Sequence, residues 1–129
     1  MFALFIVTVP AGFPSPAEDY AERPLDLNRY LIHHPAATFF VRVKGDSMIR
    51  AGIFCGALLI VDRALMPAPG NVVIAVVNGD LTVKHFHQEA GQILLMPENP
   101  DYAPIVIGCD TDFSIWGVVT RAIHFLGGS

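Results

Sequence analysis

The stretch Val72-Val73-Ile74-Ala75-Val76-Val77-Asn78-Gly79-Asp80-Leu81-Thr82-Val83-Lys84-His85-Phe86 decides the fold class. Two runs of β-branched and apolar residues flank Asn78-Gly79, a dipeptide that tolerates the positive φ of a tight turn, and the whole reads as a β-hairpin. Similar runs lie on either side of it. Phe39 to Val43, Ala57 to Val61 ending at Asp62, Gln92 to Met96, Ile105 to Ile107 and Phe113 to Phe125 all read as strands. The last is expected to break near Gly117, because glycine weakens a strand interior. Met48 to Gly52 reads as a turn or short helical piece, and Met96 to Tyr102, with two prolines around Asn99, as a loop. Short β segments separated by turns imply a mainly β fold, compact and mostly antiparallel.

One helical signal stands before these strands. Leu27, Tyr30, Leu31 and His34 recur at helical spacing, so Pro24 to His34 is expected to form a short amphipathic helix. Pro24 suits its start, Asp26 the positive end of its dipole, and Pro35 its stop. Pro10 to Pro24 is rich in Pro, Gly and Ala and has no period, which marks an extended segment. The division expected is an N-terminal arm, 1–23, and a folded domain, 24–129.

Composition narrows the function. With 53% hydrophobic and 16% charged residues in 129, the chain has the material for a core. A formal charge of −4 argues against direct DNA binding, which draws on a basic surface. Cys55 and Cys109 are too few for a disulfide framework and lack metal-ligand spacing; Cys55, within Ile53-Phe54-Cys55-Gly56, is expected to be a small buried hydrophobe. The apolar start, Met1 to Ala11, imitates a secretory signal but has no positive n-region and is short. No stretch reaches transmembrane length. The expectation is a soluble, cytoplasmic protein with no membrane association.

Two side chains carry chemistry. Ser47, in Lys44-Gly45-Asp46-Ser47-Met48, follows a strand at a glycine-marked turn, and Lys84 sits inside an apolar strand. A serine hydroxyl needs a base to take its proton, and a desolvated neutral amine can be that base. Lys44 and Lys84 are the only lysines. On an alternating strand Lys44 points away from Ser47 into solvent. The plain alternative is a turn serine and a snorkelling lysine. Within Leu81 to Phe86 the period of two places Thr82, Lys84 and Phe86 on one face, so Thr82 is a candidate hydrogen-bond partner for the amine. A Ser-His-Asp triad lacks the Gly-x-Ser-x-Gly elbow. His85 and His87 share a strand face, but no third ligand accompanies them, so no metal is expected. Gly45, Gly79 and Gly91 read as turn glycines, not a phosphate loop.

Several motifs, in order, resemble one family: Gly12-Phe13-Pro14-Ser15-Pro16-Ala17-Glu18-Asp19-Tyr20, Leu25-Asp26-Leu27-Asn28, Gly45-Asp46-Ser47-Met48, Leu58-Leu59-Ile60-Val61-Asp62 and Thr82-Val83-Lys84. The chain is similar to the UmuD-type proteins among the LexA-like self-cleaving serine peptidases. The resemblance implies a LexA/UmuD-like β fold that homodimerises, with Ser47 as nucleophile and Lys84 as general base. It implies self-cleavage at Ala11–Gly12, the small residue and glycine before Phe-Pro-Ser-Pro. The backbone N–H groups of Ser47 and Met48 are candidates to stabilise the oxyanion. No cofactor is implied. The implied partners are a RecA–single-stranded DNA filament as co-protease and a UmuC-type Y-family polymerase joined after cleavage. The arm before Gly12 departs from the family in being short and without charge. Two other classes stand beside this reading: a non-enzymatic dimeric binding module with a vestigial dyad, and a signal-peptidase-like enzyme acting in trans.

Overall fold

The computed structural model describes residues 3–5, 12 and 24–126. Two compact units divide at Pro35, Met1–Pro35 and Ala36–Ser129. In the first, β1 (Ala3–Phe5) pairs antiparallel with β2 (Pro24–Asp26), and β2 runs directly into α1 (Leu27–Leu31). The helix is therefore shorter than its periodicity suggests. Pro24 belongs to a strand, and Asp26 is the N-cap, its Oδ1 accepting from the Asn28 N–H at 3.1 Å. Extended backbone at Ile32 ends α1, and Pro35 opens a separate 3₁₀ turn, Pro35–Ala37. No residue of α1 is buried, so the helical spacing marks no core-facing stripe.

The second unit holds a seven-stranded antiparallel sheet, as the sequence indicates. Its strands are β3 (Thr38–Arg42), β4 (Leu58–Asp62), β5 (Val72–Val77), β6 (Asp80–Glu89), β7 (Gln92–Met96), β8 (Ile105–Ile107) and β9 (Phe113–Ile123). Their spatial order is β3-β4-β9-β5-β6-β7-β8. The hairpin at Asn78-Gly79 forms as expected, with φ of +48° and +89° at the two turn residues and Val77 opposite Asp80. Asp62 does end its strand; its Oδ1 accepts from the Ala64 N–H at 2.8 Å.

Both faces of the central strands are buried. Val73 and Ala75 pack with Phe86, Leu95 and Val118, while Ile74, between them, packs with Leu59, Val61, Met48 and Val43. This explains why β4 and β5 read as unbroken apolar runs: each side chain finds a core, and full burial of one such residue contributes about 1.5–3 kcal/mol. Cys55 joins neither core. It is exposed, because the chain turns at Gly56 (φ +91°) and the flanking Ile53 and Ala57 take the buried positions.

Gly117 does not break its strand. β9 runs unbroken through Ile123 at the centre of the sheet, joining β4 to β5. It accommodates two register shifts, leaving Trp116 extra against β5 and Thr120 extra against β4. Arg63 Nε donates to the Trp116 carbonyl at 2.7 Å and its guanidinium lies 4.5 Å from the Trp116 ring centroid, so the irregular residue is held on both sides. Glycine is needed at 117 for space. A Cβ there would come within 2.5 Å of Val61 Cγ1, in the interior. Gly117→Ala is expected to cost about 1–3 kcal/mol by overpacking. A fall in the urea midpoint at constant slope checks this; an unchanged midpoint would mean that Val61 gives way freely.

Candidate active site

The Ser47 turn is built from the end of the β3–β4 ladder. Past Arg42 the pairing continues as Val43 N–H donates to the Ala57 carbonyl and Gly56 N–H to the Val43 carbonyl, both at 2.9 Å. Gly45 then reverses the chain at φ +89°, a conformation that favours glycine. Met48, 2% exposed, is driven into the core, and the 3₁₀ turn Ile49–Ala51 closes behind it at Gly52 (φ +80°). Ser47 is thus fixed between a glycine turn and a buried anchor, half-buried itself. It lines a cleft of about 290 Å³ with Val41, Lys44, Met48, Leu81 and Thr82, among others. Lys44 is exposed, as expected, but it lines the same cleft as Ser47, which the expectation that it points away from Ser47 did not include.

Lys84 comes from β6, opposite Val73 on β5 and one residue before the pairing of β6 with β7 begins at His85. Only 6% of it is exposed. Its Nζ lies 3.0 Å from Ser47 Oγ, 2.7 Å from Thr82 Oγ1 and 3.3 Å from the Val83 carbonyl oxygen. Burial holds the amine below its ordinary range near 10.5, and desolvation is the cause. All three partners are oxygens that accept from the amine; once it loses a proton, its lone pair can instead accept from the Ser47 hydroxyl.

The fold brings Ser47, Lys84 and Thr82 together, with Met48 directly beside them. Gly12 is exposed with φ +112°, and Ala11 lies outside the described residues. The backbone N–H groups of Ser47 and Met48 have no acceptor among the described residues, whereas those of Ile49 and Arg50 are taken by the Asp46 and Glu98 carbonyls. His85 makes different use of its ring: Nδ1 faces the Gly70 carbonyl at 3.1 Å and Nε2 the Glu98 carboxylate at 3.1 Å. No group of three metal-binding side chains occurs among the described residues.

Sequence reasoning missed Asp46, Asn99 and Tyr102. Tyr102 Oη donates to Asp46 Oδ1 at 2.6 Å, and Asn99 Nδ2 donates to the Asp46 carbonyl at 2.8 Å. The hydrogen bond to Asp46 raises the Tyr102 phenol above its usual value, since losing the proton would set two anions together. The signals were Asn99 between two prolines, which marks a loop, and the family resemblance, which implies a place for that loop on the dyad side; neither announces its contacts.

Residues 4–120 match the Peptidase S24-like family. Protein SamA of Salmonella typhimurium is 50% identical over 121 residues, covering 94% of this chain and 84% of that one. Protein ImpA of Escherichia coli is 45% identical over 129 residues, covering 94% and 82%. LexA repressor 1 of Geobacter sulfurreducens is 41% identical over 99 residues, covering 77% of this chain and 48% of the repressor.

A buried amine leaves a mark on stability. The fold disfavours its protonated form while the unfolded chain keeps the proton up to about 10.5, so the unfolded state binds more protons between the depressed value and 10.5. This group's contribution to stability therefore rises with pH through that window. Lys84→Met removes the slope. The variant is expected to gain most over the wild type at neutral pH and least at alkaline pH, read as the difference in urea midpoints. A difference that does not change with pH would mean that the amine is not desolvated.

Proposed function

We propose, for a chain that belongs to the Peptidase S24-like family and is of the UmuD type, that it is a serine peptidase that cuts its own N-terminal arm between Ala11 and Gly12. The observation that carries this reading is the 3.0 Å approach of a buried amine, with no carboxylate partner among the described residues, to a serine hydroxyl beside an open cleft. Neutral Lys84 accepts the Ser47 proton, and Ser47 Oγ bonds to the Ala11 carbonyl carbon. The carbonyl oxygen becomes an oxyanion, for which the N–H groups of Ser47 and Met48 are the donors. As the intermediate collapses, Lys84 passes its proton to the Gly12 nitrogen and the Ala11–Gly12 bond breaks. Water, deprotonated by the same amine, then hydrolyses the Ser47 ester and releases residues 1–11. Thr82 orients the amine by accepting one of its N–H groups.

Regulation and purpose follow the UmuD type. A RecA filament on single-stranded DNA favours the cleavable pose without adding catalytic groups. The shortened chain, as a homodimer, then joins a UmuC-type Y-family polymerase in translesion synthesis during the SOS response. The formal charge of −4 is consistent with reaching DNA through such partners. No described helix is long and apolar enough to cross a membrane.

Intact mass over time for the wild type, Ser47→Ala, Lys84→Ala and Thr82→Val, with and without activated RecA, tests this. Loss of residues 1–11 is expected in the wild type, and about 10³-fold slower or no loss in the two dyad variants. Thr82→Val is expected to slow the reaction about tenfold, the value of one hydrogen bond. Without RecA the rate should rise with pH as Lys84 loses its proton and level off once the amine is neutral. A wild type uncut under every condition would leave a binding module with a vestigial dyad; a rate flat from neutral to alkaline pH would exclude the lysine base.

A further inference from the structure

We infer that the loop Glu98–Tyr102 is the positioning device for the oxyanion donors of Ser47 and Met48, with Asn99 and Tyr102 as its working side chains. This rests on the reading of Ser47 as nucleophile. The argument is one of peptide geometry. A trans peptide is planar, and its C=O and N–H point in opposite directions, so fixing the carbonyl fixes the N–H. The Asp46 carbonyl shares its peptide with the Ser47 N–H, and the Ser47 carbonyl shares its own with the Met48 N–H. The loop holds both carbonyls. Asn99 Nδ2 donates to Asp46 O, and the Glu98 N–H donates to Ser47 O, each at 2.8 Å.

The rest of the loop braces these two bonds. Arg50 N–H returns to the Glu98 carbonyl at 2.8 Å, so Glu98 is tied on both sides. Asn99, 9% exposed, uses its other polar atoms as well: Oδ1 accepts from the Asp101 N–H at 2.9 Å and its carbonyl from the Tyr102 N–H at 3.1 Å. Its amide is therefore locked. Tyr102 Oη reaches Asp46 Oδ1 at 2.6 Å and ties the same peptide through its side chain. None of these groups contacts the Lys84 amine, whose partners are Ser47, Thr82 and Val83. The loop therefore acts on the transition state, not on the base.

That separation defines the test. First-order self-cleavage constants are measured across pH for the wild type, Asn99→Ala, Tyr102→Phe, Asp46→Asn, Asp46→Ala and the double variant Asp46→Ala/Tyr102→Phe, with a Tm for each. Asn99→Ala and Tyr102→Phe are expected to lower the alkaline plateau about 10- to 100-fold, somewhat less than outright loss of an oxyanion donor, with the pH midpoint unmoved. Asp46→Asn keeps an oxygen for the Tyr102 hydroxyl and should cleave near the wild-type rate. Asp46→Ala should lose as much as Tyr102→Phe, and the double variant no more than either. Folded variants that cleave at the wild-type plateau, additive losses in the double variant, or a moved midpoint at a constant plateau would each overturn the inference. If Asn99→Ala does not fold, the exposed Tyr102 and Asp46 positions decide alone. Labelling of Ser47 by a fluorophosphonate probe separates the two readings. A wild type that neither cleaves nor is labelled removes the nucleophile and this inference with it, whereas a labelled, self-cleaving wild type with indifferent loop variants removes this inference only.

Discussion

A single short contact, Lys84 Nζ to Ser47 Oγ, sets the terms for the rest of the structure. An ammonium group in that place costs free energy, since it is 6% exposed and desolvation is what moves its pKa. The group is nonetheless satisfied: the Val83 carbonyl and the Thr82 and Ser47 hydroxyl oxygens accept its hydrogens. Arginine in the same strand would stay charged and offer no lone pair. The desolvation that makes the amine costly to bury is the same one that lowers its pKa.

The two partners sit on different kinds of structure. Lys84 is held by an interior strand paired on both sides, where backbone freedom is small. Ser47 lies on a turn, which gives its hydroxyl access to the cleft but no ladder to hold it. Rigidity is supplied from outside: Met48 pins the turn to the core, and Glu98 and Asn99 hold its peptides. The turn that carries Ser47 is thereby tied both to the core and to the loop that follows β7.

Legibility in the sequence followed the range of the interactions. The hairpin at Asn78-Gly79 was readable because its turn chemistry is local, and Lys84 stood out because a cation in an apolar run is costly wherever the strand lies. The helix was overread: Leu27, Tyr30, Leu31 and His34 have the right spacing, but Pro24–Asp26 pairs with a remote strand, β1, which no local period announces. Gly117 looked like a break because its reason is the distant Val61. Cys55 looked buried from composition, yet a glycine turn exposes it. The contacts of Asn99 and Tyr102 with Asp46 span more than fifty positions and had no sequence signature beyond two prolines. What failed to show was in each case a tertiary contact, not a propensity.

The place of β9 has a consequence for the order of assembly. In the strand order the half of the sheet that presents Ser47 and the half that carries Lys84 meet through β9, the last of the described strands in chain order. Pairings across such sequence separations close late, after local hairpins have formed. A growing chain therefore carries Ser47 and Lys84 for some time on two unconnected hairpins, the amine still hydrated and protonated. On the proposed reading, competence for cleavage arrives only once β9 is in place, and the topology delays it until the sheet is assembled.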